Sequence, residues 1–271
     1  MAREAANQVP ARRISADGAA EAIARLVAAE VPVNIVYGFQ PYAVMMMTPD
    51  DLEDFALGFS LTEGVIQSRD EIRAIATEEA EGGLRVVVEL EPGRLRALLA
   101  ARRLRNTAGR TGCGVCGIEE LGEIPLAERR LQPAAPLTAE AINRALGGLA
   151  AAQPLNAATR ATHAAAWASR DGEILWVRED VGRHNALDKL IGALLRQGVD
   201  PASGFILITS RLSFEMVEKA AVFGADTLVA ISAPTSLAIE RAQRHGMTLV
   251  AIARPDGHMV FVEPPQPALA R

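Results

Sequence analysis

The sequence predicts an α/β protein in two parts: a smaller α+β domain, then an α/β domain with a mainly parallel sheet. Three short apolar runs, 205–208, 228–231 and 248–252, alternate with two stretches of helical character, 213–223 and 235–245. Apolar strands that alternate with helices are typical of a parallel sheet covered on both faces. The chain has 271 residues, 49% hydrophobic and 23% charged, which suffices for one large core or two modest cores.

The N-terminal part carries the signals of a hairpin and a helix. Two apolar runs, 31–37 and 42–47, are separated by Gly-Phe-Gln-Pro and predict two strands joined by a turn. Thr48 and Pro49, followed by two aspartates, then predict a helix with Thr48 as its N-cap. Residues 1–13 are polar and mixed, without the apolar region of a secretory signal.

A proline-rich segment divides the chain. Before it, 84–90 predicts a strand and 93–103 a short helix. The segment 124–138 holds three prolines, which disfavour both a helix and a central strand, so it predicts a linker. We therefore expect one domain over 1–132 and a second over 133–271.

The second domain is predicted to open with a helix and a hairpin. Residues 143–152 are rich in alanine and predict the helix. The runs 164–168 and 173–177 predict two strands joined through Asp171-Gly172, a dipeptide typical of tight hairpin turns.

The only two cysteines, Cys113 and Cys116, stand as C-x-x-C in a glycine-rich segment, about 105–118, that predicts a mobile loop. Arg105 and Arg110 favour the reactive thiolate. Three chemistries remain open for this pair. A zinc site needs further ligands, and the four histidines lack zinc-site spacing, so we expect no metal. A thioredoxin-like pair needs a preceding strand, whereas the upstream residues are polar. The third chemistry is sulfur exchange, in which one thiolate attacks and the other resolves.

Polar segments follow the predicted strands of the second domain, where open α/β sheets bind ligands. They comprise 179–185, 209–213, 232–236 and 254–257. The first three lead into helix N-termini, which attract anions. Arginines in these segments offer bidentate phosphate contacts. The pattern indicates a pocket for a phosphorylated or nucleotide-like ligand, and the candidate residues are Arg183, His184, Ser210, Arg211, Ser232, Thr235 and Arg254.

Each of these residues also has an ordinary structural interpretation. Ser213 and Thr235 are typical helix N-caps. Arg183 and Asp180 suit a surface ion pair, and His184 stands four residues before Asp188, the spacing of a helical side-chain pair. The other three histidines are expected to be structural.

Several of these motifs together resemble the formate dehydrogenase accessory sulfurtransferase family, FdhD, over roughly residues 30–262. The most specific is the string Glu-Asp-Val-Gly-Arg-His-Asn-Ala-Leu-Asp-Lys at 179–189. The others are Cys-Gly-Val-Cys-Gly at 113–117, Thr-Pro-Asp-Asp-Leu-Glu at 48–53 with Gly58-Phe59, Ser-Phe-Glu-Met at 213–216 and Ala-Pro-Thr-Ser-Leu-Ala at 233–238.

The resemblance implies a cytidine deaminase-like second domain, a homodimer and a sulfur carrier. In such a carrier a cysteine desulfurase loads persulfide sulfur onto the C-x-x-C segment, with Cys113 as the persulfide cysteine. The sulfur then passes to the molybdenum of bis(molybdopterin guanine dinucleotide) before that cofactor enters formate dehydrogenase. The family's cofactor-binding stretch maps onto Ile252, Ala253, Arg254, Pro255, Asp256 and Gly257.

Two alternative functions compete with this one. A zinc-dependent deaminase would need H-x-E and a later P-C-x-x-C, and neither motif is present. A non-enzymatic cofactor chaperone would use its cysteines only to hold the loop.

Net charge −5 gives no footprint for nucleic acid, and no apolar run reaches membrane-spanning length. Two closely spaced cysteines without an export signal suit the reducing cytoplasm.

Overall fold

The computed structural model describes residues 3–103, 127, 129–132 and 135–264. The predicted cysteine loop, with Cys113 and Cys116, lies outside these residues. No helix in the described ranges is long and apolar enough to cross a membrane.

The N-terminal part contains a two-stranded sheet and a four-stranded sheet. The first pairs β1 (Ala6–Ile14) with β2 (Ala20–Ala28), a hairpin that the polar sequence of 1–13 did not predict. The four-stranded sheet has the order β4-β3-β6-β5, and β3 and β6 are parallel. Its strands are β3 (Val31–Tyr37), β4 (Gln40–Met47), β5 (Ile72–Ala80) and β6 (Gly83–Leu90), and its helices are α1 (Leu52–Thr62) and α2 (Pro92–Arg103).

The C-terminal part is a six-stranded sheet of order β12-β11-β10-β9-β7-β8, accompanied by helices. Its strands are β7 (His163–Ser169), β8 (Ile174–Asp180), β9 (Gly204–Ile208), β10 (Thr227–Ala230), β11 (Thr248–Arg254) and β12 (Gly257–Val262). Its helices are α3 (Ala139–Ala151), α4 (Pro154–Thr159), α5 (Arg183–Gln197), α6 (Phe214–Phe223) and α7 (Ser236–His245).

The expectation of a mainly parallel sheet is wrong. The β9–β10 and β10–β11 pairings are parallel, whereas β7–β8, β7–β9 and β11–β12 are antiparallel. Two of these pairings are local, because β7–β8 and β11–β12 are joined by tight turns, and such turns make antiparallel neighbours. Strand β9 runs in the same direction as β8 and therefore opposite to β7. The predicted hairpins and the alternation from β9 to β11 are confirmed. The likeness to cytidine deaminases stays a prediction.

The predicted start of α1 is also wrong. The helix begins at Leu52, and its N-cap is Asp51, in a left-handed conformation with φ 54°. The Thr48 side chain instead donates to the Asp180 carboxylate at 2.8 Å and accepts from Lys189 at 2.8 Å. A long-range contact has therefore replaced the local cap that the sequence favoured.

Helices α1 and α5 join the two parts through a close backbone contact. A Cβ atom added at Gly58 would lie 1.9 Å from the Asp188 carbonyl oxygen, and one at Gly192 would lie 1.8 Å from that of Asp54. Only glycine permits this approach. One hydrophobic core accordingly runs from β3, β6 and α1 into α5, α6 and β9. The domain boundary at 132/133 stays a prediction.

Candidate functional site

The four polar segments predicted from the sequence lie along one edge of the six-stranded sheet. Strands β8, β9, β10 and β11 end at this edge, and the antiparallel β7 begins there at His163. Backbone hydrogen bonds connect neighbouring segments: Leu212 donates to Ala233 and Ile252 donates to Ser232, each at 3.1 Å. Five strands at a spacing of about 4.8 Å give this edge a length of roughly 19 Å.

Several of the predicted residues there have local partners or are exposed. Thr235 is the N-cap of α7, since its hydroxyl accepts from the Ala238 N–H at 3.3 Å. Ser210 is buried and donates to the Arg211 carbonyl at 3.0 Å. Ser232 is half-buried, and its carbonyl accepts from Ile252. Arg211 is exposed at the edge.

The stretch from Ile252 to Gly257 forms the end of β11 and its tight turn into β12. Ile252 has φ 52°, an uncommon value for a β-branched residue, and the register shifts between Ala251 and Arg254. Ala253 packs into the core, so its side chain is not available to a ligand. Arg254, Pro255, Asp256 and Gly257 are exposed.

The motif at 179–189 divides into residues that hold the fold and residues that remain available. Asp180 is fully buried, and its carboxylate lies 2.7 Å from the Lys189 ammonium. It also accepts from Thr48, from the Gly182 N–H at 2.7 Å and from the Asn185 side chain at 2.9 Å. This carboxylate fixes the chain just before α5. The predicted surface ion pair between Arg183 and Asp180 is therefore replaced by a buried pair with Lys189.

Two further acids of the motif are likewise structural. Glu179 accepts from the N–H groups of Leu155 and Asn156 at 2.9 and 2.7 Å, which fixes the start of α4. Asp188 pairs with Lys219 of α6 at 2.8 Å and accepts from Thr62 at 2.8 Å. The contact between His184 and Asp188 allowed by their spacing is thus replaced by contacts to other elements. Burial raises the pKa of Asp188, while Lys219 opposes this rise.

Arg183 and His184, in the first turn of α5, remain available. His184 is only 8% exposed, and its Nε2 atom is buried without a hydrogen-bond partner among the described residues. The Arg183 Nε atom is in the same condition. Burial, assisted by the charges of Arg183 and Lys219, lowers the pKa of His184 to about 3. The imidazole is therefore neutral near pH 7.

His163 is a residue that the sequence pattern did not single out. It begins β7 and pairs with Asp180 across the ladder, between the ends of β8 and β9. Burial and the Arg183 charge lower its pKa, and Asp180 partly opposes them. The sequence pattern indicates only residues that follow strands, whereas His163 stands at the start of the antiparallel strand β7.

The first turn of α6 provides the other available groups. Ser213 occupies the N-cap position but makes no side-chain capping bond, and within the described ranges its buried Oγ atom has no partner. The Glu215 Oε2 atom is also buried and unpartnered there. The capping role considered for Ser213 is therefore not observed, in contrast to Thr235. Glu215 belongs to the Ser-Phe-Glu-Met motif at 213–216, but no local pattern in the sequence indicates that it is a site residue.

Four buried polar atoms thus lie at the N-termini of the adjacent helices α5 and α6 without a partner in the part of the chain that the structure describes. A buried polar group without a partner costs about 1–3 kcal/mol, so native proteins contain few of them. Eight such atoms occur in the described residues, and these four lie together at one sheet edge, which favours a ligand site there. Within the described ranges, no three His, Cys, Asp or Glu side chains are grouped to hold a metal ion.

The sequence of this chain is similar to those of known proteins. Residues 28–267 match the profile of the FdhD/NarQ family. The chain belongs to the FdhD/NarQ family. A family relative from Xanthomonas axonopodis pv. citri, named Sulfur carrier protein FdhD, is 47% identical over 247 residues, which are 91% of this chain and 87% of that protein. A relative of the same name from Bordetella petrii is 46% identical over 238 residues, 88% of this chain and 85% of that protein.

A solved crystal structure has the same fold. It is that of a protein from Desulfotalea psychrophila described as a formate dehydrogenase accessory protein. The two chains superpose with a TM-score of 0.71 at 27% identity, over 96% of this chain and 98% of the other. The resemblance stated from the motifs is therefore confirmed at the level of the family.

Proposed function

We propose that this FdhD/NarQ protein is a sulfur carrier. It accepts persulfide sulfur from a cysteine desulfurase and passes it to bis(molybdopterin guanine dinucleotide) before that cofactor enters formate dehydrogenase. Family membership and the name of the relatives, Sulfur carrier protein FdhD, support the sulfur-carrying half. The Desulfotalea protein, described as a formate dehydrogenase accessory protein, supports the choice of recipient.

The observation that carries the cofactor half is the set of unpartnered buried polar atoms in the described residues where α5 and α6 begin. Helix N-termini bind phosphate through free N–H groups, and Arg183 adds a guanidinium there. Arg211 and Arg254 are exposed farther along the same edge. These groups are spread along an edge roughly 19 Å long, so different parts of one extended ligand could contact them. The cofactor is cargo in this scheme, held while it receives sulfur.

The sulfur step uses the two cysteines without any outside oxidant. The Cys113 thiolate attacks the terminal sulfur of the desulfurase persulfide, and the desulfurase cysteine leaves as a thiolate. Cys113 then carries the persulfide, and Cys116 is the neighbouring thiol that can resolve it. Attack of the Cys116 thiolate on the Cys113 sulfur breaks the persulfide S–S bond and releases the terminal sulfur as sulfide, the atom passed to the cofactor. A Cys113–Cys116 disulfide remains, and a cellular dithiol or glutathione must reduce it before the next cycle.

The described end of the chain after the cysteines supports this pairing of functions. Ala127 donates its N–H to Glu218 of α6 at 2.6 Å, and Leu131 donates to the His245 carbonyl at 2.8 Å. Glu218 stands three residues after Glu215, so residue 127 is attached to the same helix that carries Ser213 and Glu215 at its start. Ten residues lie between Cys116 and Ala127, so eleven Cα-to-Cα steps join them, and a fully extended chain of eleven steps spans at most about 36–40 Å.

Loading of sulfur tests the carrier role. The protein is incubated with a cysteine desulfurase and cysteine, and the sulfur adduct is mapped by mass spectrometry in wild type, Cys113→Ala and Cys116→Ala. We expect the adduct on Cys113 and its loss in Cys113→Ala. An unchanged yield in Cys113→Ala refutes the assignment, and loss only in Cys116→Ala reverses the two roles. Formate dehydrogenase activation without either cysteine would indicate a cofactor chaperone instead.

Nucleotide binding tests the cofactor role. GDP, a fragment of the cofactor, is titrated by calorimetry into wild type, Arg211→Ala and the control Arg144→Ala, an exposed position on α3. Losing a bidentate phosphate contact should weaken binding about tenfold or more, because hydrogen bonds to charged groups contribute about 1.5–3 kcal/mol. Equal affinities in all three proteins would remove Arg211 from the site.

The resemblance also supports a homodimer in the cytoplasm. Light scattering on the purified chain should give twice the mass of 28.8 kDa. A mass of one chain across the working concentration range would contradict this part of the proposal.

A further inference from the structure

We propose that Glu215 is a specificity-determining residue that recognises the ring N–H and the adjacent amino group of a 2-amino-4-oxopyrimidine ring. Guanine and pterin both contain this ring, so either half of a molybdopterin guanine dinucleotide could supply it. The inference rests on the proposed cofactor binding and adds to it the residue that reads the base.

Glu215 is an acceptor that the described part of the protein leaves unsatisfied. Its Oε2 atom is buried without a hydrogen-bond partner there, as is the Oγ atom of Ser213 two residues earlier. An ionised carboxylate can only accept hydrogen bonds, so the missing partner must be a donor. The Ser213 hydroxyl makes no capping bond that would hold it in place for another purpose.

The register of two helices directs Glu215 toward the other available groups. Lys219 of α6 bonds both carboxylate oxygens of Asp188 on α5, at 3.0 and 2.8 Å. Both helices begin at the same sheet edge. Four residues nearer that edge, one turn on each helix, stand Glu215 and His184. The register therefore places these two residues on the facing sides of α5 and α6, one turn nearer the sheet edge than the Asp188–Lys219 pair. His184 is 8% exposed and its Nε2 atom has no partner in the described ranges, so a polar ligand group beside Glu215 could satisfy both side chains.

The charges along this edge assign different parts of a ligand to different places. Arg183, Arg211 and Arg254 attract phosphate, whereas the Glu215 carboxylate repels it. A neutral, donor-rich part of the ligand must therefore face Glu215. A guanine or pterin edge offers two adjacent N–H donors, and the unpartnered Oε2 atom of Glu215 can accept from this edge. Adenine lacks the ring N–H, and hypoxanthine lacks the amino group.

Discrimination between ligands tests the inference without relying on a variant. Wild type is titrated by calorimetry with GDP, with IDP, which lacks the amino group, with ADP and with neopterin, a free pterin. We expect at least one of GDP and neopterin to bind. If Glu215 recognises the guanine half of the cofactor, GDP should bind at least tenfold more tightly than IDP and ADP. A site built to accept a hydrogen bond strongly rejects the analogue without the donor.

The variant Glu215→Gln provides the second measurement, with Glu173→Gln, exposed at the opposite sheet edge, as its matched control. We expect Glu215→Gln to weaken GDP about tenfold or more and to make GDP and IDP bind equally, while Glu173→Gln changes neither. If Glu215→Gln weakens the binding of neopterin alone, Glu215 recognises the pterin half of the cofactor, which also supports the proposal.

These titrations distinguish a failure of the role of Glu215 from a failure of the proposed function. Wild type that binds GDP and IDP equally, with no effect of Glu215→Gln on GDP or neopterin, overturns the role of Glu215 and leaves the proposed function intact. A loss in Glu215→Gln that is equal for GDP, IDP and ADP assigns Glu215 to the ribose and also overturns it. Wild type that binds neither GDP nor neopterin overturns the inference together with the cofactor half of the proposed function.

Discussion

Substituting Gly192 by alanine should separate the two helices that join the parts of this protein. The new Cβ atom would lie 1.8 Å from the Asp54 carbonyl oxygen, whereas ordinary contact begins at 3.4 Å. Helices α1 and α5 must then move apart by about 1.6 Å, because neither backbone can yield locally. Overpacking typically costs about 1–3 kcal/mol and occasionally more. We place Gly192→Ala at the upper end, at about 3 kcal/mol or more, since rigid backbone is the obstacle.

Urea denaturation measures this loss as a change in the free energy of unfolding, with Gly147→Ala as the control. Gly147 is exposed in α3, and a Cβ atom added there would meet no described atom within 4 Å. Alanine at this position should stabilise the protein by about 0.5–1 kcal/mol through helix propensity alone. The two variants should therefore differ by about 4 kcal/mol. If Gly192→Ala were as stable as Gly147→Ala, the close approach of α1 and α5 would be refuted.

Two further predictions concern the motif before and within α5. Lys189→Met should destabilise the protein by about 3–5 kcal/mol in urea, because Asp180 would keep a buried charge without its ammonium, and adding Asp180→Asn should restore part of this loss. The pKa of His184 is lowered from 6.5 to about 3, so its contribution to stability is present above pH 6.5 and is lost as pH falls toward 3. Between pH 7 and pH 5 wild type should therefore lose about 2 kcal/mol more than His184→Gln, and equal losses would contradict the buried neutral imidazole.

The sequence located the elements that depend on local pattern. Apolar runs bounded by turn residues predicted the strands from β9 to β11 and both predicted hairpins, because period and turn chemistry act within a few residues. The β1–β2 hairpin was not predicted from the sequence because its residues are mostly exposed and show no alternation of apolar and polar side chains. The start of α1 was misplaced because Thr48 bonds to Asp180, 132 residues away, in preference to capping the helix.

The candidate edge itself followed from the sequence, since the order of strands and helices determines where each strand ends. Which residues at that edge are available did not follow, because it depends on partners from other elements. Asp180, Asp188 and Lys189 belong to the same motif as Arg183 and His184, yet in the described structure the latter two retain unpartnered atoms while the former are paired. Glu215 entered the site only through the register of α5 and α6, which the Asp188–Lys219 pair fixes. Local pattern thus determined where a ligand is expected, and the tertiary contacts decided which side chains are left to bind it, because a buried polar group is available only when no distant residue already satisfies it.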